Sequence, residues 1–251
     1  MNKIDFKTEE ELKIMAEGGV KLKHVKETLR KQVAIGVSAM DIEELACELI
    51  KKVGGVPSFK MVPGYSWATC VNINEEVVHG IPKKEKVFRK GDVVSVDVGI
   101  YYKGFHTDTS FTVGLGTDNQ TNKFLEIGKK AFNEAVSQVK IGKYIYDISK
   151  AMEKVILEAG YTPIRSLVGH GIGKQLHEAP QIPCFVPGPI KDSQKIVAGM
   201  GLAVEVMYAL GSYQTQVLED GWTIVTQDGK ISALFEETLA VTENGVKILT
   251  A

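Results

Sequence analysis

The sequence predicts an α+β fold, and three observations predict it. Helical periodicity fills two blocks, each a pair of segments, and strand-like runs follow each block. The runs come in antiparallel-compatible pairs, with no βαβαβ alternation. No linker or low-complexity tract divides the 251 residues, so residues 1–251 are expected to form one domain. A helix–helix–hairpin arrangement recurs in each half, without a matching residue-level repeat.

Thr8 followed by Glu11 reads as a capping box, opening a helix over roughly 8–34 with Leu12, Met15, Val20, Leu22, Val25 and Leu29 as its apolar stripe. Ser38 caps a second helix with Ile42, Leu45, Ala46, Leu49 and Ile50 on one face, and Gly54-Gly55 stops it. Asn72 to His79 reads as a short extended segment before a turn at Gly80-Ile81-Pro82. Val93 to Val98 and Phe105 to Val113 read as two strands joined by a four-residue loop, Tyr101-Tyr102-Lys103-Gly104. Helices over roughly 121–139 and 146–159 follow, ended by Gly142 and Gly160. A Gly-rich segment, Gly169 to Gly173, leads into a proline-rich stretch from Pro180 to Pro189. Leu202 to Tyr208 and Ser232 to Val241 close the chain as strands, with Trp222 to Thr226 between them.

Composition excludes several classes. Hydrophobic residues are 44% and charged residues 24%, which rules out a disordered or fibrous chain. Lys+Arg is 30 against Asp+Glu 31, a net charge of −1, so no specific nucleic-acid partner is expected. Cys47, Cys70 and Cys184 are too few and too scattered for a disulfide framework or a zinc ribbon. The acidic N-terminal stretch, residues 1–19, lacks the apolar core of a signal peptide, and no run approaches ~18 apolar residues. A cytoplasmic protein without a membrane span is expected.

The sharpest signal is four acids inside apolar strand runs: Asp97 in VVSVDVGI, Asp108 in FHTDTSFTV, Glu205 in LAVEVMY and Glu236 in ALFEETLAV. A lone buried carboxylate costs several kcal/mol unless it is neutralised, paired or metal-bound. With a four-residue hairpin loop, Asp97 falls directly opposite Asp108, and like charges facing each other across strands repel. No Lys or Arg lies within the strand segments to compensate, so a hard divalent cation is expected. Of five histidines, His170 lies between glycines that permit close backbone approach, His177 follows seven residues later, and His79 ends an apolar run. Four carboxylates with one imidazole suit two divalent ions. His24 reads as a surface residue and His106 as structural.

Three features read as bland. Gly169 to Lys174 lacks the spacing of a phosphate loop. The basic run Lys83, Lys84, Lys86, Arg89 and Lys90 reads as a solvated face, with docking to an RNA-rich partner as the functional alternative. Neither Cys47 nor Cys70 has a paired base in sequence that would make it a nucleophile.

From the N-terminal helix to Glu243 the chain resembles the type I methionine aminopeptidases of the short bacterial kind. The motifs that carry the resemblance are Asn72-Ile-Asn-Glu-Glu-Val-Val-His79-Gly-Ile-Pro82, Asp97 with Gly104-Phe-His-Thr-Asp108-Thr-Ser110, Gly169-His170-Gly-Ile-Gly173 with His177-Glu178-Ala-Pro180, Glu205 with Met207, and Asp220-Gly-Trp222 with Phe235-Glu236. The resemblance implies the pita-bread fold, a pseudo-twofold antiparallel sheet with helices packed on it. It implies a centre of two divalent ions (Co, Mn, Fe or Zn) held by Asp97, Asp108, His170, Glu205 and Glu236, with Asp108 and Glu236 bridging. Glu205 is similar to the family's proton shuttle, and His79 and His177 to the two non-ligand histidines that contact the scissile peptide. Phe59, Tyr65, Cys70, Leu176 and Trp222 would form the methionine pocket, with Val62 nearby. The substrates implied are N-termini of nascent polypeptides with small second residues, acted on by a monomer. A monovalent ion near Asn74, Glu76 and Ser232 is also implied.

Four positions depart from the family pattern. Val206 stands where the family usually has Pro, Glu237 where it often has His, and Leu176 and Val62 where aromatics are common. Two rivals differ in class. Prolidases and aminopeptidase P share the fold but usually carry an additional N-terminal domain, for which this chain leaves no room. A non-catalytic binding relative would typically have lost ligands, and all five are present.

Overall fold

A computed structural model describes residues 4–251, so the first three residues of the acidic N-terminal stretch lie outside the described residues. Two helices come first, α1 (Glu9–Gln32) and α2 (Ala39–Lys52). Both open with reciprocal capping boxes, Thr8 with Glu11 and Ser38 with Asp41, which satisfy two orphan N–H groups each. Strands β1 (Val56–Pro57), β2 (Thr69–Ile73), β3 (Glu76–Val78), β4 (Val93–Tyr102) and β5 (Phe105–Gly114) follow, then α3 (Asn119–Ser137) and α4 (Ile145–Glu158). The remainder is β6 (Thr162–Pro163), β7 (Val168–Gly171), β8 (Glu178–Pro183), β9 (Gly201–Ala209), β10 (Thr215–Val217), β11 (Ile224–Thr226), β12 (Ser232–Thr242) and β13 (Gly245–Ile248). Among the described residues no helix is long and apolar enough to cross a membrane.

Ten strands form one antiparallel sheet, in the order β1-β4-β5-β12-β9-β7-β8, with β2 on β4, β6 on β9 and β13 on β12. A second sheet, β10-β11-β3, is small. Alternation along the strands divides the large sheet into two faces. Val94, Val96 and Val98 of β4 pack in one cluster with Leu22, Val25, Leu29, Ile42 and Ile50 of α1 and α2. Val204, Val206 and Tyr208 of β9 pack with Phe124, Ala131, Ile148 and Met152 of α3 and α4. The residues between them, Asp97 and Glu205 included, project from the opposite face. All nine residues of β9 are buried, because neither face of that strand is solvated.

Several sequence expectations are corrected here. The β4–β5 connection is a two-residue turn, Lys103-Gly104, with Tyr102 paired to Phe105. Both turn residues have positive φ, 47° and 96°, the conformation that matches the twist of a tight hairpin. Asp97 therefore lies opposite Ser110, and Asp108 opposite Gly99. The shift is two residues, so both acids stay on the same face, now as diagonal neighbours rather than direct partners. The segment from Asn72 to His79 is not one extended run: it breaks at Asn74, at φ 58°, between β2 and β3. Gly54 and Gly160 follow the ends of α2 and α4 in the left-handed conformation, but α3 ends at Ser137, and Gly142 belongs to the connecting turn. The second helix pair is followed by strands, yet β9 and β12 are not a tight hairpin; β10 and β11 lie between them in the chain.

The Gly-rich segment is a strand. Residues Val168–Gly171 pair with both β9 and β8, which leaves no phosphate cradle. A Cβ on Gly171 would sit 2.1 Å from the Ala179 carbonyl oxygen, and one on Gly169 would sit 2.7 Å from that of Ala203. Glycine on either side of His170 thus lets β7 enter the sheet. The basic run is partly structural: Lys86 bonds Glu76 at 2.7 Å and Lys83 lies 3.9 Å from Asp220, while Lys84, Arg89 and Lys90 are exposed.

Candidate metal centre and active-site pocket

The register places the four acids in two adjacent rows on the face opposite Val96, Val98, Val204 and Val206. The first row runs across five strands as Cys70, Asp97, Ser110, Glu236 and Glu205. In the second, Asp108 lies opposite Gly99, and His170 lies opposite Ala203, which pairs with Thr238. Between them, the Thr238 hydroxyl accepts from the Asp108 N–H and donates to the Asp108 carbonyl, each at 2.8 Å. Residues separated by 100 positions or more therefore become cross-strand neighbours, with Cβ atoms roughly 5 Å apart along a row.

Asp108, His170 and Glu236 each offer a donor atom within 4.8 Å of one another, and all three are buried. Asp97 and Glu205 line the same cavity. Asp97 Oδ1 is buried with no hydrogen-bond partner among the described residues. Burial holds the Asp97, Glu205 and Glu236 carboxyls well above the usual carboxylate range, and the neighbouring Asp108 adds to each. Asp108 itself is pushed up to about 7 by burial, against the pull of the Thr109 N–H. An orphaned oxygen, four crowded carboxyls and no cation among them form the donor set that hard divalent ions take.

His170 is poised as a neutral ligand. Its Nδ1 lies 2.9 Å from the Gly171 carbonyl oxygen, which only accepts, so Nδ1 carries the proton and Nε2 keeps its lone pair. Burial lowers its pKa to about 3, so the ring is neutral at pH 7. His177 stands at the mouth, its ring 4.5 Å from that of His170 in an edge-on contact. His79 follows β3 at φ 58°, a left-handed conformation that a non-glycine residue adopts at a cost of about 1–3 kcal/mol and that aims the ring into the cavity. Burial lowers its pKa to about 4. His106 lies outside the cavity lining, with Nδ1 2.9 Å from Ser58 Oγ, and His24 is exposed.

The cavity measures about 120 Å³, comparable with the roughly 150 Å³ that accommodates one benzene ring. Its apolar end is formed by Phe59, Val62, Tyr65, Cys70, Leu176 and Trp222. Tyr65 is the keystone: its ring meets Trp222 edge-on at 5.0 Å and Trp67 at 5.3 Å, and its hydroxyl donates to the Thr69 carbonyl at 2.9 Å. Burial raises the Cys70 thiol far above its ordinary value, which leaves it an apolar wall rather than a nucleophile. Sequence reasoning missed Val78, which lines the cavity, and Ser110, whose buried hydroxyl has no partner among the described residues. The signal for Ser110 was parity: it lies two residues beyond Asp108 and therefore on the same face. Asn74, Glu76 and Ser232 also meet, the Ser232 hydroxyl lying 3.3 and 3.0 Å from the Asn74 and Glu76 carbonyl oxygens.

The sheet thus gathers carboxylates and an imidazole, a donor set for divalent ions, beside an apolar pocket. The profile of metallopeptidase family M24 matches residues 13–243. The chain is 36% identical to the methionine aminopeptidase of Clostridium perfringens and 39% identical to methionine aminopeptidase 1 of Bacillus subtilis, covering 98% of each and itself covered to 98% and 97%. It superposes on the crystal structure of methionine aminopeptidase from Thermotoga maritima with a TM-score of 0.95 at 41% identity, over 99% of both chains. The prolidase of Pyrococcus furiosus, 22% identical with a TM-score of 0.79 over 98% of this chain and 65% of its own, shares the fold. The chain belongs to metallopeptidase family M24 and, within it, to the type I methionine aminopeptidases.

Proposed function

We propose that the chain removes the initiator methionine from nascent polypeptides, with Asp97, Asp108, His170, Glu205 and Glu236 holding two divalent ions and residues 1–251 acting as one catalytic domain. The observation that carries the dinuclear reading is the ladder of four carboxyls in two rows, with Asp97 Oδ1 left unpartnered. Ions bound there (Co, Mn, Fe or Zn) would polarise the peptide carbonyl and lower the pKa of water. The chain's own residues do the rest. The apolar end of the cavity takes the unbranched thioether side chain. His177 donates a hydrogen bond to the oxygen that gains charge in the transition state. His79, neutral at pH 7, hydrogen-bonds the amide being cleaved. Glu205 carries a proton to the departing nitrogen. Small second residues are preferred because the carboxylate cluster bounds the space beyond the scissile bond. The chain works as a cytoplasmic monomer that meets nascent chains at the ribosome, with exposed Lys84, Arg89 and Lys90 as the contact.

Hydrolysis of Met-Gly-Met-Met is expected, abolished by EDTA and restored by added metal, with no cleavage of an X-Pro peptide. Cleavage of the X-Pro peptide alone would mark a prolidase, and no cleavage of either a binding protein.

Leucine at 176 and valine at 62 widen the pocket relative to an aromatic wall. Trp67 does not close the gap, because it packs on Tyr65 and is not part of the lining. Discrimination between apolar side chains of similar size is worth about 1–3 kcal/mol, so a looser wall shows in kinetics. Norleucine and leucine N-termini are expected to be cleaved measurably, and Leu176→Phe to raise the Met/Leu ratio of kcat/KM. An unchanged ratio would show that residue 176 does not set the wall.

A further inference from the structure

Glu237, one of the departures from the family pattern, has its partner on the far side of the sheet. It projects from β12 toward α1, where Lys26 Nζ pairs with Glu237 Oε1. The side chains are 9% and 13% exposed. Two hydroxyls complete the carboxylate: Thr109 Oγ1 donates to Oε2 at 2.8 Å and Thr250 Oγ1 at 2.5 Å. Each threonine leads to a candidate ligand. The Thr109 N–H donates to Asp108 Oδ1 at 3.0 Å, and its hydroxyl lies 2.9 Å from the Glu236 carbonyl oxygen. Thr250 Oγ1 accepts from the Thr238 N–H at 3.0 Å, and the Thr238 hydroxyl holds both the N–H and the carbonyl of Asp108.

A buried ion pair is weak evidence for stability, since well-packed apolar residues in its place are often neutral or stabilising. Groups behind metal ligands, by contrast, orient them and tune affinity. We propose that Lys26 and Glu237, acting through Thr109 and Thr250, are positioning residues that fix Asp108 and Glu236 from the helix side of the sheet. The glutamate that replaces the family's usual residue brings its own counter-charge from α1, and the C-terminal Thr250 closes the network. This inference rests on the reading of Asp108 and Glu236 as ligands of the metal centre.

The test compares the full chain with Lys26→Met/Glu237→Gln, which removes both charges at once, and with Thr109→Val and Thr109→Ser. The readouts are the dissociation constant for Co2+ by calorimetric titration of the metal-free protein and thermal unfolding in EDTA. The double variant is expected to unfold in EDTA close to the parent temperature yet bind Co2+ about 10–100-fold more weakly. Thr109→Val should show a similar weakening, and Thr109→Ser, which keeps the hydroxyl, should recover most of the affinity. Parental affinity in Thr109→Val and in the folded double variant would overturn the proposal and leave the network a role in the fold alone. If the double variant does not fold, the two Thr109 variants decide. A parent that binds no Co2+ overturns the metal-centre reading, and this inference with it.

Discussion

Alanine at Asp108 or Asp97 is expected to remove metal and activity together. Both acids project into the cavity from strands whose other face is packed apolar core, and Asp97 Oδ1 has no hydrogen-bond partner among the described residues. Lewis-acid stabilisation of the transition state is worth several kcal/mol, so kcat/KM should fall by at least about 10³-fold, at about 1.4 kcal/mol per decade. Metal content by elemental analysis should fall in parallel. Two ions per chain with normal turnover in either variant would overturn the dinuclear assignment. The same substitutions should act in the opposite direction on the metal-free fold. Asp108, at about 7, and the other three acids bind protons more tightly folded than unfolded. Their stabilising contribution is full below the unfolded value of about 4 and is lost as pH rises through the folded value. In EDTA the parent should therefore unfold at progressively lower temperature from about pH 4 to pH 7 and above. Asp97→Ala should flatten that slope, because it removes one of the crowded carboxyls.

The second large effect is expected at the two cavity histidines. Alanine at His177 or His79 should lower kcat by about 10²–10⁴-fold, the range for lost proton-transfer and oxyanion contacts, with metal content unchanged. Neither ring belongs to the close donor group formed by Asp108, His170 and Glu236. His177 lies against His170 at the cavity mouth, and His79 approaches from the β3 side, 6.4 Å from Trp222. Loss of metal in His79→Ala would instead make that residue a ligand. A fall in kcat/KM through KM alone would assign either ring to substrate binding rather than to the transition state.

The fold class and the candidate donor set were legible in the sequence because both rest on local rules. Capping boxes at Thr8 and Ser38, the β-branched run at Val93 and the apolar run at Ser232 read directly as elements. An acid inside an apolar run announces itself, since burial without a partner is too costly to be accidental. Glycine on both sides of His170 marked a close approach, but not the strand that makes it: four residues of β7 with two glycines carry no strand signal.

What the sequence alone determined about this protein is therefore which residues are candidates for the site; how they meet was decided by the tertiary structure. The hairpin register hinged on Lys103, which takes a left-handed φ that its residue type does not advertise, and this moved Asp97 from Asp108 to Ser110. The row from Cys70 to Glu205 exists because β5, paired on one edge with its chain neighbour β4, pairs on its other edge with β12, a contact across more than 100 residues. The same parity settled two of the departures. Val206 and Glu237 are adjacent to candidate ligands in sequence, but period-two alternation turns both toward the helices, Val206 into the apolar core and Glu237 onto Lys26. Leu176 and Val62 belong to loops, and the fold alone placed them in the pocket wall.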